Sequence, residues 1–377
     1  MGKSKRLSSS PKTKRDYSGE YIYVGIDSHL RNWVIKIIAG MEDFARSYHT
    51  RPDAKGLLTY LKKYYPGGTY LCVYEAGFSG FWIQRELEAL GVGCMVTHAA
   101  DVPTTHKEKL YKDDGRDALK LAKGLRSGDL TEVYVLTEEQ ERARDIVRRR
   151  HSIGKHKRRI MTQIKMHLHK WNVKLPTNKE MKHWSRRFLE KLYQIQEEQN
   201  DEALGLMLEE LELQRKLELK VLRKIRTLSR SSVYKKDVDL LLSVPGIGVL
   251  TAMVLLTEIV DFHRFKTLNQ LCSYIGLCPR THSSGDKQRI GNMSKRGNSR
   301  ARCAIIESAW VAIRYDEDLG TSYENWKEKT AKGNKAIVKV ARRLLNRIRF
   351  ILKNEQPYER GYVTGQCAPK SACEEGR

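Results

Sequence analysis

The chain has 377 residues, 70 of them Lys or Arg against 45 Asp or Glu, which gives a formal net charge of +25 at pH 7. That length allows two or three domains with real cores. The surplus, clustered rather than scattered, suits a polyanion whose phosphates release counterions on binding. No window approaches the ~18 uncharged apolar residues of a membrane span. Seven cysteines without a C-x-x-C pair speak against a disulfide framework or a zinc site and fit a reducing cytoplasm.

The N-terminus, Met1–Arg15, is basic and Ser-rich without the apolar stretch of a secretory signal, and Arg6 stands where myristoylation needs Ser or Thr. Residues 1–20 therefore read as a basic arm, disordered and free to touch nucleic acid, or as a plain solvated tail. Tyr21–Ile26 is an apolar run ending at Asp27, and Trp33–Ala39 is a second; the polar turn between them predicts a hairpin. Phe44–His49 predicts a weaker edge strand. Asp53 caps a predicted helix to about Tyr64, with Leu57, Leu58 and Leu61 on one face. Thr69–Tyr74 predicts a strand closed by Glu75, Phe78–Leu90 a helix, and Val92–Thr97 another strand. Strands broken by helices argue for an α/β layer, and the leading hairpin for a mixed sheet.

Asp114–Arg126 predicts a helix whose first turns carry Asp114 and Asp117 at i,i+3, within reach of one ion. From Glu138 to Arg230 the pattern is helical and highly charged. Ile146, Ile153 and Ile160 recur every seven residues, flanked by Arg148, Arg149, Lys157 and Arg158 as a basic nucleic-acid face. After a break at Leu175-Pro176-Thr177-Asn178, Leu204, Leu208, Leu211, Leu222 and Ile225 follow heptad-like spacing. A coiled coil and an ordinary helical hairpin fit this stretch equally, and either offers a dimer arm.

Leu241–Gly248 runs into a second apolar helix through Pro245-Gly246-Ile247-Gly248, the pattern of a helix-hairpin-helix. There Gly246 and Gly248 let the backbone approach phosphate; a plain helix connection is the simpler alternative. Thr281–Arg302 is rich in Gly, Ser and basic residues and reads as a solvated loop on a rigid scaffold, where function concentrates. Ala301–Ile313 predicts an apolar helix. Residues 333–353 predict a last basic one, with Ile337, Val340, Leu344 and Ile348 on one face, followed by a disordered tail.

Val24-Gly25-Ile26-Asp27, Tyr74-Glu75-Ala76 and Lys112–Ala118 together resemble the metal-binding motifs of the DEDD transposases of the IS-one-ten insertion-sequence family, relatives of the Piv-type DNA invertases. Pro245-Gly246-Ile247-Gly248, Tyr274–Arg280, Ser284-Gly285 and Met293–Asn298 are similar to that family's C-terminal transposase domain, in the family's order. The resemblance covers residues 21 to about 350.

It implies an α/β-plus-α organisation. A RuvC-like domain of ribonuclease-H fold would span 21–135 and a helical or coiled-coil region 136–236. A mainly α transposase domain with its helix-hairpin-helix-like motif would span 237–355, followed by the tail, 356–377. By the same resemblance, Asp27, Glu75, Asp114 and Asp117 would hold Mg²⁺ or Mn²⁺, two ions in all, and Ser284 would be the nucleophile, joined to DNA as a phosphoserine. Lys287, Arg289, Lys295 and Arg296 would balance phosphate charge. The partners implied are donor and target double-stranded DNA, a bridge RNA pairing with both, and a second copy or more, as a dimer or tetramer on DNA.

Family members carry Thr where Asp113 stands, so Asp113 with Asp117, spaced i,i+4, is an alternative to Asp114 with Asp117. Ser283 and Ser294 are hydroxyls that the residues alone do not separate from Ser284. Carboxylates in the first domain and a serine in the last predict a composite site. The competing function is a RuvC-type nuclease that uses water.

Overall fold

A computed structural model of the chain describes residues 15–42, 44–102, 113–284, 287–293 and 296–359. The chain divides into two compact units, residues 1–137 and 138–377.

The first unit is a mixed five-stranded sheet with helices on both faces. Its strands are β1 (Tyr21–Ser28), β2 (Trp33–Ala39), β3 (Arg46–Thr50), β4 (Thr69–Glu75) and β5 (Gly93–Thr97), in the order β3-β2-β1-β4-β5. The predicted hairpin is there: β1 pairs antiparallel with β2, Val24 facing Ile37 and Asp27 facing Val34. β4 lies parallel on the other side of β1, and β5 lies parallel to β4. Alternate residues of a strand face opposite ways. Ile22, Val24, Ile26, Cys72 and Tyr74 turn to one face, where they meet Leu57 and Leu61 of helix α1 (Ala54–Tyr64) and Ile83 and Leu87 of α2 (Trp82–Ala89). Val73 turns to the other face and meets Leu121 of α3 (Asp114–Ser127).

Helix α2 begins four residues later than the expected start at Phe78. The phenol of Tyr74 donates to the Gly80 carbonyl at 2.9 Å, and Gly80 takes φ +56°, which winds residues 77–80 into a turn instead. Cys72 and Cys94 are buried, and burial pushes the Cys72 thiol up to about 12. Residues 15–20 of the expected arm lie against the sheet unit. Tyr17 is buried and Arg15 pairs with Glu20 at 2.9 Å; residues 1–14 lie outside the described part.

The second unit is mainly helical. Helix α4 (Glu138–Lys170) is returned by α6 (Glu202–Ser229), with α5 (Arg186–Gln199) between them in sequence. The end of α4, through Ile160, Ile164 and Leu168, packs with Phe188 and Leu192 of α5 and Leu204, Leu208 and Leu211 of α6. The start of α4, through Ala143 and Val147, and the end of α6, through Ile225, enter a separate, larger core. The two long helices thus form an antiparallel hairpin rooted at one end.

That larger core is built from α7 (Lys235–Leu242), α8 (Val249–Ile259), α9 (Leu268–Ile275), α10 (Ser299–Ala312), α11 (Glu317–Thr330) and α12 (Gly333–Asn354). The face of α12 expected to be apolar is buried throughout: Ile337, Val340, Leu344 and Ile348.

The stretch from 281 onward is not a loop. β6 (Pro279–Ser284) and β7 (Lys287–Met293) pair antiparallel, with Ser284 opposite Lys287 and His282 opposite Arg289. Backbone pairing makes this ribbon, so its polar composition hid it from a reading based on apolar runs. From the expected tail, Tyr358 returns to the core, its N–H donating to Ser243 Oγ at 2.8 Å and its phenol to Asp316 at 2.5 Å. The tail beyond residue 359 lies outside the described part.

Candidate functional site

Helix α3 crosses β1 at Gly25, where no side chain could fit between them. A Cβ on Gly25 would fall on the Ala118 carbonyl oxygen and 2.6 Å from the Ala122 nitrogen. This backbone-on-backbone crossing sets the first turn of α3 over the carboxyl ends of the central strands. Asp27 lies two residues beyond Gly25 and therefore turns to the α3 face. The register that pairs Ile26 with Tyr74 puts Glu75 beside Asp27 at its next step, on that same face.

Three ligand-type atoms, from Asp27, His29 and Asp114, lie within 4.8 Å of one another. His29 Nε2 is 3.4 Å from Asp27 Oδ2 and 3.2 Å from Asp114 Oδ2. It is within ion-pair reach of both carboxylates, yet is a buried nitrogen that no described residue hydrogen-bonds. Such an orphaned nitrogen between two carboxylates is what a divalent ion would satisfy, so the residues fit a metal.

The other acidic candidates sit outside this trio. Asp113 is the N-cap of α3 and accepts from the Gly115 N–H at 3.4 Å. Asp117 is bonded to Lys120 at 3.2 Å. Glu75 is half-buried at the strand end. Acidic residues at an N-cap and in a first helical turn also complement the helix dipole, which is reason enough for the α3 sequence to tolerate Asp113, Asp114 and Asp117.

His29 was missed by the sequence reading. Its signal was there: a histidine two residues past a strand-end aspartate occupies the next position on the same side of an extended chain.

In the second unit, Ser284 closes β6, while Gly285 lies outside the described residues, as do Ser294 and Lys295. Lys287 and Arg289 are on β7. Arg296 is exposed just after it. Gly246 takes φ +84°, and a Cβ there would meet the Ser308 carbonyl at 2.5 Å, so its glycine serves packing against α10. Gly248, the N-cap of α8, has open space where a Cβ would be.

Of the basic residues expected on α4, Arg149 and Arg158 are exposed. Lys157 pairs with Glu218 on α6. Arg148 gives its guanidinium fork to Glu258, at 2.9 and 2.7 Å.

The profile of the "Transposase IS116/IS110/IS902 family" matches residues 238–324, the stretch that holds α8, the β6–β7 ribbon and Ser284. The chain belongs to this family of transposases, enzymes that cleave and join DNA. It is 32% identical over 251 residues to the provisionally named transposase y4qE of Sinorhizobium fredii, an alignment covering 67% of this chain and 60% of that relative. It is 28% identical over 301 residues to the transposase for insertion sequence element IS1533 of Leptospira borgpetersenii, covering 77% of this chain and 84% of the other. With the transposase for IS1111A of Coxiella burnetii it shares 26% over 263 residues, covering 67% and 70%. Among the described residues no helix is long and apolar enough to cross a membrane.

Proposed function

We propose that this chain is the transposase of an insertion sequence and exchanges DNA strands through a phosphoserine on Ser284, with divalent metal held by the carboxylates of its first unit. The observation that carries the reading is the convergence of Asp27, His29 and Asp114 at the crossing of α3 over β1. They come from two segments far apart in sequence, and Asp27 and Asp114 stand where the family motifs put acids. The order β3-β2-β1-β4-β5, with an antiparallel front and two parallel strands behind it, supports a RuvC-like, ribonuclease-H reading of this unit.

Asp27, Asp114 and His29 would hold the ion, with Glu75 and Asp117 completing the set. A bound Mg²⁺ or Mn²⁺, one or two ions, supplies charge to the scissile phosphate and lowers the barrier to its substitution. Oxygen ligands suit Mg²⁺, and the imidazole nitrogen extends the site's tolerance to Mn²⁺. Ser284 Oγ attacks phosphorus and loses its proton. One P–O bond to a DNA strand end breaks, and that end takes up a proton in exchange for the serine's and leaves as a hydroxyl. Attack by the hydroxyl of another strand then releases the serine, so bond energy is conserved and no nucleotide cofactor is consumed. Lys287, Arg289, Lys295 and Arg296 offset phosphate charge, and Arg149 and Arg158 offer an exposed basic face. Donor and target duplexes, a bridge RNA and a second copy of the chain belong to this reading through the family resemblance.

The deciding experiment is Ser284→Ala, assayed on a duplex carrying the element's own end with Mg²⁺. The reading expects both strand cleavage and the covalent protein–DNA adduct to disappear. Cleavage that persists without an adduct would instead establish a water-using nuclease.

A further inference from the structure

Glu258 is the single charged residue in the otherwise uncharged helix α8, and its side chain is fully buried. A buried carboxylate is costly unless paired and hydrogen-bonded, and here several elements converge to satisfy it. Arg148 of α4 forks onto both oxygens at 2.9 and 2.7 Å. The Asn298 side-chain amide donates to Oε2 at 2.8 Å, and Arg300 lies 4.0 Å from Oε1. Burial opposes ionisation, but bonds from Arg148 and Asn298 and the charges of Arg148 and Arg144 outweigh it and hold this carboxyl below its ordinary value.

A second, independent feature sits beside it. Val260 adopts φ +68° and ψ −69°, and the Asp261 N–H bonds to the Ile259 carbonyl at 3.0 Å. This is a γ-turn of the rare, strained hand, on a β-branched residue. Such strain persists only where the surroundings over-determine it, and it gathers at functional sites. The surroundings do so here. Arg144 donates to the Thr257 carbonyl at 2.8 Å, the Tyr274 phenol to the Glu258 carbonyl at 2.7 Å, and Arg264 to the Ile259 carbonyl at 3.2 Å.

What Glu258 holds is the exit of the β6–β7 ribbon. Asn298 follows that ribbon closely, caps α10 through its side-chain oxygen to Arg300 and Ala301, and bonds by its own N–H to the Tyr274 carbonyl at 2.8 Å. Gly297 before it, at φ +103°, would place a Cβ 2.7 Å from both Gly276 N and Tyr274 O. Gly297 and Asn298 are therefore tied to the end of α9, and Asn298 is held there by the buried carboxylate.

We propose that Glu258 is a positioning residue for strand exchange: through Asn298 on one side and Arg148 on the other, it fixes the β6–β7 ribbon, and with it Ser284, relative to α4. The inference rests on Ser284 being the reacting group. It predicts that the identity of the Glu258–Asn298 pair, and not merely the presence of a folded core, sets the rate.

The test is a charge-swap cycle in the full-length protein, N298D, E258Q and the double variant. Asp caps a helix as well as Asn does, so N298D keeps the α10 cap but sets two carboxylates against each other. In the double variant the glutamine amide donates to the new carboxylate. Cleavage of the element-end duplex should fall about 100-fold in N298D, the scale of an ångström-level misplacement. Amide exchange over residues 279–293 should quicken while duplex affinity stays unchanged. The double variant relieves the repulsion but keeps only one acceptor for the Arg148 fork, so it should recover part of the rate and protection lost in N298D. Unchanged cleavage in N298D, unchanged exchange in the ribbon, or a double variant no better than N298D would each overturn the proposal. If N298D does not fold, R148K removes the fork while keeping the charge, and the same losses are expected; ribbon exchange equal to the parent's would again overturn it. Exchange is read without DNA chemistry, so its outcome is separate from that of Ser284→Ala.

Discussion

Gly25 on β1 and Ala118 on α3 meet backbone to backbone, with the Ala118 carbonyl occupying the space a Gly25 side chain would need. That contact ties the end of a strand to the start of a helix some 90 residues later, and the Asp27–His29–Asp114 trio is its product.

Gly25→Ala should therefore do more than destabilise. Forcing a methyl group into this crossing should cost about 1–3 kcal/mol, the usual scale of overpacking, and should lift the first turn of α3 away from Asp27. Thermal melting should show the stability loss. Titration with Mn²⁺ followed by electron paramagnetic resonance should show weakened ion binding even in the fraction that remains folded.

The neighbouring aspartates at the start of α3 should separate cleanly. Asp113→Ala removes a cap and should cost about 1 kcal/mol while leaving Mn²⁺ binding intact. Asp114→Asn and Asp27→Asn should weaken the ion by more than the roughly 10–100-fold typical of losing an outer-shell partner. His29→Ala should abolish the nitrogen coupling in the Mn²⁺ resonance signal. Equal losses from Asp113→Ala and Asp114→Asn would count against this division of roles.

The two glycines of Pro245-Gly246-Ile247-Gly248 should respond oppositely. Gly246 combines positive φ with a Cβ position 2.5 Å from Ser308 O, so Gly246→Ala should destabilise by at least about 1–3 kcal/mol. Gly248 has extended backbone and open space, so Gly248→Ala should leave the melting temperature nearly unchanged. If the start of α8 binds phosphate, Gly248→Ala should instead weaken duplex binding in a gel-shift titration.

Acid should unfold the second unit through two buried carboxylates. Burial opposes ionisation of Asp316, but hydrogen bonds from Tyr358, the Leu319 N–H and Arg347 keep it below its ordinary value, as the partners of Glu258 do for that residue. A depressed folded pKa means that the unfolded chain binds more protons in acid. The stabilisation is then complete above the unfolded values of about 4 and is lost as pH falls through the lower folded ones. Urea unfolding between about pH 5 and pH 2 should show stability falling with pH, and E258Q and D316N should each flatten that dependence.

Much of this was legible along the chain. The apolar runs Tyr21–Ile26 and Trp33–Ala39 are a hairpin because β-branched and aromatic residues alternate about a short polar turn. The apolar face of 333–353 announced a buried helix, since a 3.6-residue period has few other uses. The ribbon at 279–293 was not legible, because its pairing is made by backbone groups and its side chains carry no apolar alternation. Arg148 read as a surface cation because a sequence cannot show that a carboxylate 110 residues away has taken its fork.

The sequence by itself determined which residues are acidic at the strand ends, which stretches are helical, and the family to which the motifs point. These are properties of local pattern and spacing. The tertiary structure decided which acids meet: Asp114 rather than Asp113, with His29 between Asp114 and Asp27. It also decided that Glu258 serves the exit of the ribbon. Such pairings depend on where one backbone crosses another, and a glycine with no room for a single carbon fixes that crossing only once the chain is folded.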